Sequence, residues 1–420
     1  MDGAGGIDYG RSSGPGPGPS GAPSLPPGPV QMPPMTAARR RRESAAFTIF
    51  LSLALLIGAV VMALVLIGSG APNALAIGVV LAALPVGPLI ASFLWLDRYE
   101  PEPLGLLAFA FGWGALVATA AALLLQGIDQ FAFDSSELVS SAVVAPVTEE
   151  AAKGLFVVLL LFARRHELDG ILDGIVYAGM VGIGFAFTEN ILYLAAAYMG
   201  GAGVGPGGIE AATGTFVVRG IFSPFAHPFF TAAIGIGVGY AVITHRPLWR
   251  FLAPLLGYGV AVVGHAFWNG TALLAGGQLF VLTYVFAMVP AFFVLVGFAV
   301  WARSREGLLL TRALTDCADR GFLGHEEVPW LVRLPGRRAS RRFARMHGGP
   351  GAARMMSDYQ QQAIELGFLH ARVLRGNAPV DFARRGQAMV DHLRALRPFV
   401  VFPQPAGRNV GTRPRWEAGR

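Results

Sequence analysis

The sequence predicts an all-α membrane protein, a polytopic bundle of about eight transmembrane helices with a small helical cytoplasmic region at the C-terminal end. Three observations carry that prediction. The chain of 420 residues is 54% hydrophobic and only 14% charged, which excludes an ordinary soluble domain. Its apolar residues gather into runs of roughly 20 or more, the length a helix needs to cross a bilayer. Arginine falls in alternate connections between those runs, as the positive-inside rule requires.

The first 45 or so residues are rich in Gly, Pro and Ser and end in Arg39 to Arg42. Such a composition cannot bury a core and predicts a disordered cytoplasmic tail. A transmembrane domain is expected over residues 46–302, with spans near 46–68, 74–96, 104–126, 136–163, 170–197, 214–243, 250–276 and 279–301. The connections placed inside hold Arg98, Arg164, Arg165, Arg246, Arg250, Arg303 and Arg305, whereas those placed outside hold Asp129, Asp134 and Glu210 and no Lys or Arg. An even number of spans puts both termini in the cytoplasm. Between the second and third spans, DRYEPEP (residues 97–103) reads as a solvated, proline-punctuated turn.

Residues 303–420 form a basic tail, with 21 Arg against 10 acidic residues. Beside a membrane, this excess points to anionic headgroups rather than to nucleic acid. Met356 to Leu374 has helical spacing, so a helical, partly disordered appendage is expected. His325, His347, His370 and His392 are too scattered for a metal site and read as surface histidines. A single cysteine, Cys317, rules out an intramolecular disulfide framework and a Cys-rich zinc site.

The fourth span breaks the apolar pattern. PVTEEAAKG places Glu149, Glu150 and Lys153 where hydrocarbon should be. Each central charge costs roughly 2.5–3.5 kcal/mol on insertion scales, so something must offset the three. Lys153 is the only lysine in the chain. A compact ammonium fits a narrow carboxylate site and can lose its proton when desolvated, which a guanidinium cannot. Helical spacing lets both glutamates meet it. The plain alternative is an internal salt bridge that only neutralises the site.

Few other strongly polar groups lie within the spans. They are Glu189 and Asn190 in the fifth, Arg219 and His227 in the sixth, and His265 and Asn269 in the seventh. At a rise of about 1.5 Å per residue, Glu149, His265, His227, Glu189 and Asn269 lie about 21 to 28 Å from their cytoplasmic helix ends, close to one layer. Arg219 comes out near 36 Å, at the outer interface, where snorkelling explains it. Pro146 and Thr148 suggest a helix that restarts at Glu149, and Pro224 and Pro228 loosen the backbone around His227. Irregular backbone at this depth suits a water-filled cavity. Gly179, Gly182, Gly184, Gly235 and Gly239 read as close helix packing.

Taken together, Glu-Glu-x-x-Lys at Glu149, Glu150 and Lys153, Phe-x-x-x-Glu-Asn from Phe185 to Asn190, the proline-flanked His227, and His-x-x-x-Asn at His265 and Asn269 resemble the PrsW family of intramembrane proteases. DRYEPEP does too, and the likeness covers roughly residues 95–300. PrsW proteins are similar to the superfamily of prenyl-protein endopeptidases and bacteriocin-processing proteins, in which a His stands at the position held here by Glu189. The resemblance implies hydrolysis of a peptide bond in a membrane-anchored protein, such as an anti-sigma-like regulator. Catalytic roles are expected for Glu149, Glu150, Lys153, Glu189, Asn190 and Asn269.

Two chemistries suit these residues. Either Zn²⁺ is bound by His227, His265 and Glu149, or no metal is used and a glutamate activates water while Asn269 and an imidazole stabilise the oxyanion. The chain lacks the His-Glu-x-x-His helix that would decide for zinc. The rivals are a proton- or ion-coupled transporter, which predicts an internal repeat that the motifs do not show, and a non-catalytic membrane scaffold.

Overall fold

The computed structural model describes residues 35–164, 167–200, 206–274, 278–376, 378–379 and 381–403. Among them there is no strand. The chain parts into two units, Met1–Glu43 and Ser44–Arg420. Residues 1–34, most of the tail expected to be disordered, lie outside the described residues, as does Arg165. Helix α1 already begins at Met35 (Met35–Gly68), ahead of the boundary expected at residue 45.

Among the described residues, seven helical runs are long and apolar enough to cross a membrane: Ala45–Gly68, Pro72–Leu96, Leu104–Phe133, Ile171–Tyr198, Gly208–Ile243, Pro247–Leu273 and Gln278–Asp319. The run from Glu137 to Ala163 is of similar length and carries the Glu149, Glu150 and Lys153 charges, which lower its apolarity. It supplies the eighth helix of the expected bundle.

In chain order, the second run is α2 (Pro72–Ala83) and α3 (Val86–Leu96), separated near Pro85. The third is α4 (Leu104–Gly112), a π-helical turn at Trp113–Ala118, and α5 (Thr119–Phe133). The fourth is α6 (Glu137–Val139), a π turn at Ser140–Val144, and α7 (Ala145–Ala163). Then come α8 (Ile171–Tyr198), α9 (Gly208–Phe216) with a π turn at Val217–Phe222, α10 (Ala226–Ile243) and α11 (Pro247–Leu273). The last span is α12 (Gln278–Thr283), a π turn at Tyr284–Met288, and α13 (Val289–Asp319).

Helix α8 is the axis of the bundle and is buried along nearly its whole length. It packs on α10, α2 and α4. Small residues allow this. A Cβ at Gly174 would stand 2.1 Å from the Gly235 carbonyl oxygen, and one at Gly184 would stand 1.9 Å from that of Phe111. At both places only glycine lets the backbones touch, which is the close packing read from the glycine spacing. Tyr177, Val181, Phe156 and Phe185 fill the core beside them.

Helix α13 does not stop at Trp301, where the last span was expected to end. It continues to Asp319 and leads into α14 (Val328–Val332), α15 (Leu334–Leu374, kinked at Gly349) and α16 (Phe382–Leu396). These helices enclose a second core of Leu310, Leu314, Met356, Tyr359 and Ile364. The expected helix over Met356 to Leu374 lies within α15. His370 is buried and hydrogen-bonded to Asp316, so it is not a surface histidine; His325 is exposed and beside Asp319.

DRYEPEP is not a solvated turn. Asp97 and Glu102 are buried. The Glu102 amide donates to Asp97 Oδ2 (2.7 Å), and the Tyr177 hydroxyl donates to Glu102 Oε2 (2.7 Å). Burial pushes the Asp97 carboxyl up to about 7, against the pull of the Glu102 amide. Burial, and then the negative charge of Asp173, raise Glu102 well above the usual range. From the C-terminal helices, Arg337 Nη1 donates to the carbonyls of Tyr99 (3.0 Å) and Arg98 (3.4 Å).

Candidate active site

Four runs converge on one cluster. Helix α7 delivers Glu149, Glu150 and Lys153, all buried, from about one turn of the helix. It is not broken at Glu149 as expected. The Thr148 hydroxyl donates back to the carbonyls of Val144 (2.8 Å) and Ala145 (3.1 Å) instead of capping a new helix. The irregular backbone comes one turn earlier, in the π segment Ser140–Val144.

Lys153 is the hub. Its Nζ lies 2.6 Å from Glu150 Oε1, 3.1 Å from His227 Nδ1 and 3.7 Å from Glu149 Oε2, and 4.2 Å above the Phe185 ring. Glu150 is saturated. It accepts from Lys153, from His265 Nδ1 (3.0 Å) and, through Oε2, from the Thr231 hydroxyl (3.0 Å). Glu189 is held as firmly, by Arg219 Nη2 and by His227 Nε2 (2.6 Å). Asn190 Oδ1 accepts from Arg219 Nε (2.7 Å).

These bonds fix the imidazole protons. An ionised carboxylate only accepts, so His265 carries its proton on Nδ1 toward Glu150, and His227 on Nε2 toward Glu189. The remaining lone pairs point inward. His227 Nδ1 faces Lys153, and His265 Nε2 faces Glu149 Oε2 at 3.8 Å. Glu149 Oε1 takes a hydrogen bond from Gln126 Nε2 (3.2 Å), whereas Oε2 is buried with no hydrogen-bond partner among the described residues. Two acceptors thus confront each other in a buried site, an arrangement that calls for a proton, a water or a cation between them.

Glu149, His227 and His265 each offer a ligand atom within 4.8 Å of the others. Each histidine also gives its second nitrogen to a carboxylate, the usual support for a metal-bound imidazole. This donor set could hold a metal ion such as Zn²⁺ once Lys153 Nζ releases His227 Nδ1.

Asn269 stands apart from the cluster. It shares a helix face with His265, but its Nδ2 donates to the Ser141 carbonyl (3.0 Å) and ties α11 to the π segment before α7. Arg219, expected to snorkel at the outer interface, lies in the cluster. The helix is interrupted at Ser223–Phe225, so a depth reckoned along a straight helix overshoots. Thr231 and Gln126 were also missed in the sequence. A hydroxyl and an amide inside a span carry no charge to stand out against the apolar background.

Residues 102–295 match the PrsW family of intramembrane metalloproteases. Protease PrsW of Geobacillus kaustophilus is 31% identical over 185 residues, which span 43% of this chain and 76% of that protein. Protease PrsW of Oceanobacillus iheyensis is 30% identical over 184 residues, 42% of this chain and 78% of that one. For Protease PrsW of Halalkalibacterium halodurans the identity is 27% over 217 residues, with shares of 51% and 89%. No solved structure matches.

Proposed function

The chain belongs to the PrsW family of intramembrane proteases, and from that premise we propose that it cuts a membrane-anchored protein by hydrolysis at the Glu149, His227 and His265 cluster. The observation that carries this reading is the buried Glu149 Oε2, without a hydrogen-bond partner among the described residues, facing the lone pair of His265 Nε2. Glu149 keeps a buried oxygen that takes part in no hydrogen bond among the described residues, beside His265 Nε2. Glu149 takes the proton of a water as the water oxygen bonds to the scissile carbonyl carbon. The carbon–nitrogen bond then breaks, and the proton passes to the leaving amine.

Glu150 and Lys153 form the fixed support beneath this pair. Glu150 holds the His265 tautomer, and Lys153 supplies the positive charge both carboxylates face at membrane depth. Glu189, set by Arg219, does the same for His227. In a metal-assisted form, Glu149, His227 and His265 would hold Zn²⁺, which would supply Lewis acidity and lower the pKa of water in place of the Glu149 base.

Arginine in alternate connections supports an orientation with both termini cytoplasmic. That orientation places the cluster toward the outer half of the bilayer, where a first cut in a membrane-anchored regulator, anti-sigma-like factors included, would fall.

The test is cleavage of a fluorogenic transmembrane peptide by purified protein, with zinc content measured on the same samples. His265→Ala and His227→Ala are expected to lose about 100-fold or more in rate. Zinc near one equivalent, lost in both variants, would support the metal-assisted form. Full-rate cleavage by both variants would rule out the cluster as the catalytic centre.

A further inference from the structure

A cavity of about 540 Å³ lies between α10, α11 and the last span. Its walls are apolar side chains apart from Thr283 and the Trp268 indole. By comparison, an apolar cavity of ~150 Å³ admits benzene, so this one has room for roughly three ring-sized groups. We propose that it is the subsite for apolar residues of the substrate's membrane-spanning segment, entered sideways from the bilayer, and that Phe230 is the partition between this subsite and the catalytic cluster. The proposal rests on the protease reading given above.

Continuity with the cluster identifies the occupant. The Phe230 ring lines the cavity and also stacks on the His265 imidazole, with centroids 5.0 Å apart and planes within 9°. Gly264, the residue before His265, is a second wall residue, and a Cβ there would lie 3.4 Å from the Phe230 ring. An apolar segment in the cavity therefore rests against the two residues that frame a catalytic imidazole. One phenyl side chain, that of Phe230, stands between it and the His265 imidazole.

The last span is built as the outer wall. It is fastened where its π turn begins, by the Tyr284 hydroxyl donating to the Phe222 carbonyl (2.9 Å) and by Trp268 against Phe280 (4.5 Å). Toward the cavity it presents Ala287 and Ala291 among the larger Met288, Val294, Leu295 and Phe298. Its opposite face exposes Phe286 and Phe293, as suits contact with lipid.

The experiment uses the full chain carrying Glu149→Gln, in lipid nanodiscs, with a Leu/Ala-rich transmembrane peptide bearing a diazirine. Crosslinks mapped by mass spectrometry are expected on Ala287, Ala291 or Phe298, and Ala291→Trp should reduce them roughly fivefold or more. Equal labelling of Phe286 and Phe293 would overturn the proposal, and so would erasure of the crosslink by added phospholipid, which would mean that acyl chains fill the cavity. Mapping on the chain without Ala291→Trp stands even if that variant misfolds. Wild-type cleavage of the same peptide is measured in parallel. Crosslinking without cleavage defeats the protease reading and leaves the subsite; cleavage without crosslinking does the reverse.

Discussion

Three glutamates, two of them buried, share one site, and their partners give them different work. Glu150 is bonded to an ammonium, an imidazole and a hydroxyl, so its removal leaves the buried Lys153 short of countercharge. Glu150→Gln is therefore expected to cost about 3–5 kcal/mol of stability, seen as a large fall in melting temperature in detergent. Lys153 is fully buried against Phe185 and both carboxylates. A guanidinium is planar, wider and does not shed its proton. Lys153→Arg should therefore abolish activity and lower stability, measured by the same melt and by peptide cleavage; a fully active variant would show that charge alone matters there. This part of the site was legible because three charges in an apolar run stand out, and because the only lysine among 33 basic residues marks a specific demand. Arg219 was not legible. Its place depends on where the chain leaves the helix, and that is a property of backbone geometry rather than of residue type.

The elements that carry the site are the irregular ones. Helix α7 follows one π turn, at Ser140–Val144, and α10 follows another, at Val217–Phe222. A π turn shifts the register of the side chains that follow it, and such turns gather at functional sites. The second one, with the break before Ala226, is what brings Arg219 to Glu189 and Asn190. Arg219→Gln is expected to reduce turnover by about 10- to 100-fold with little change in melting temperature, since the guanidinium orients Glu189 and, through it, His227. Unchanged turnover would reduce Arg219 to a plug. The prolines at Pro224 and Pro228 announced a loosened backbone, but neither the π turns nor the unbroken start of α7 could be read from residue types.

The segment of residues 97–103 behaves as an element too, closed by Asp97, Glu102 and Tyr177. Asp97 titrates near 7 in the fold against an ordinary value of 3.8. The folded chain keeps a proton that the unfolded chain gives up, so stability falls as pH rises through that window. Asp97→Asn should flatten part of the fall in melting temperature between about pH 4 and 7. An unaltered slope would show that Asp97 ionises freely.

At the scale of the whole molecule, one helix joins the two halves. Helix α13 begins in the membrane bundle and ends in the core of the C-terminal helices, and Arg337 fastens those helices to the carbonyls of Arg98 and Tyr99. Arg337→Ala should increase proteolytic nicking near residues 98–103 and 333–337, read by limited digestion; an unchanged pattern would mean that α13 alone holds the halves together. The spans were legible because length and apolarity are local properties. The C-terminal core was not, since its residues alternate with arginine and only packing shows which of them face inward. The cluster lies between these cases: its members were named one by one, and their meeting depended on helix depth.

The most direct test compares turnover of a transmembrane peptide by Glu149→Gln and by the wild-type chain, with the melting temperature of each recorded. The account predicts a loss of about 100- to 10,000-fold with the fold intact, because Glu149 Oε2 has no hydrogen-bond partner among the described residues to lose. Turnover at the wild-type rate in a folded Glu149→Gln chain would contradict it.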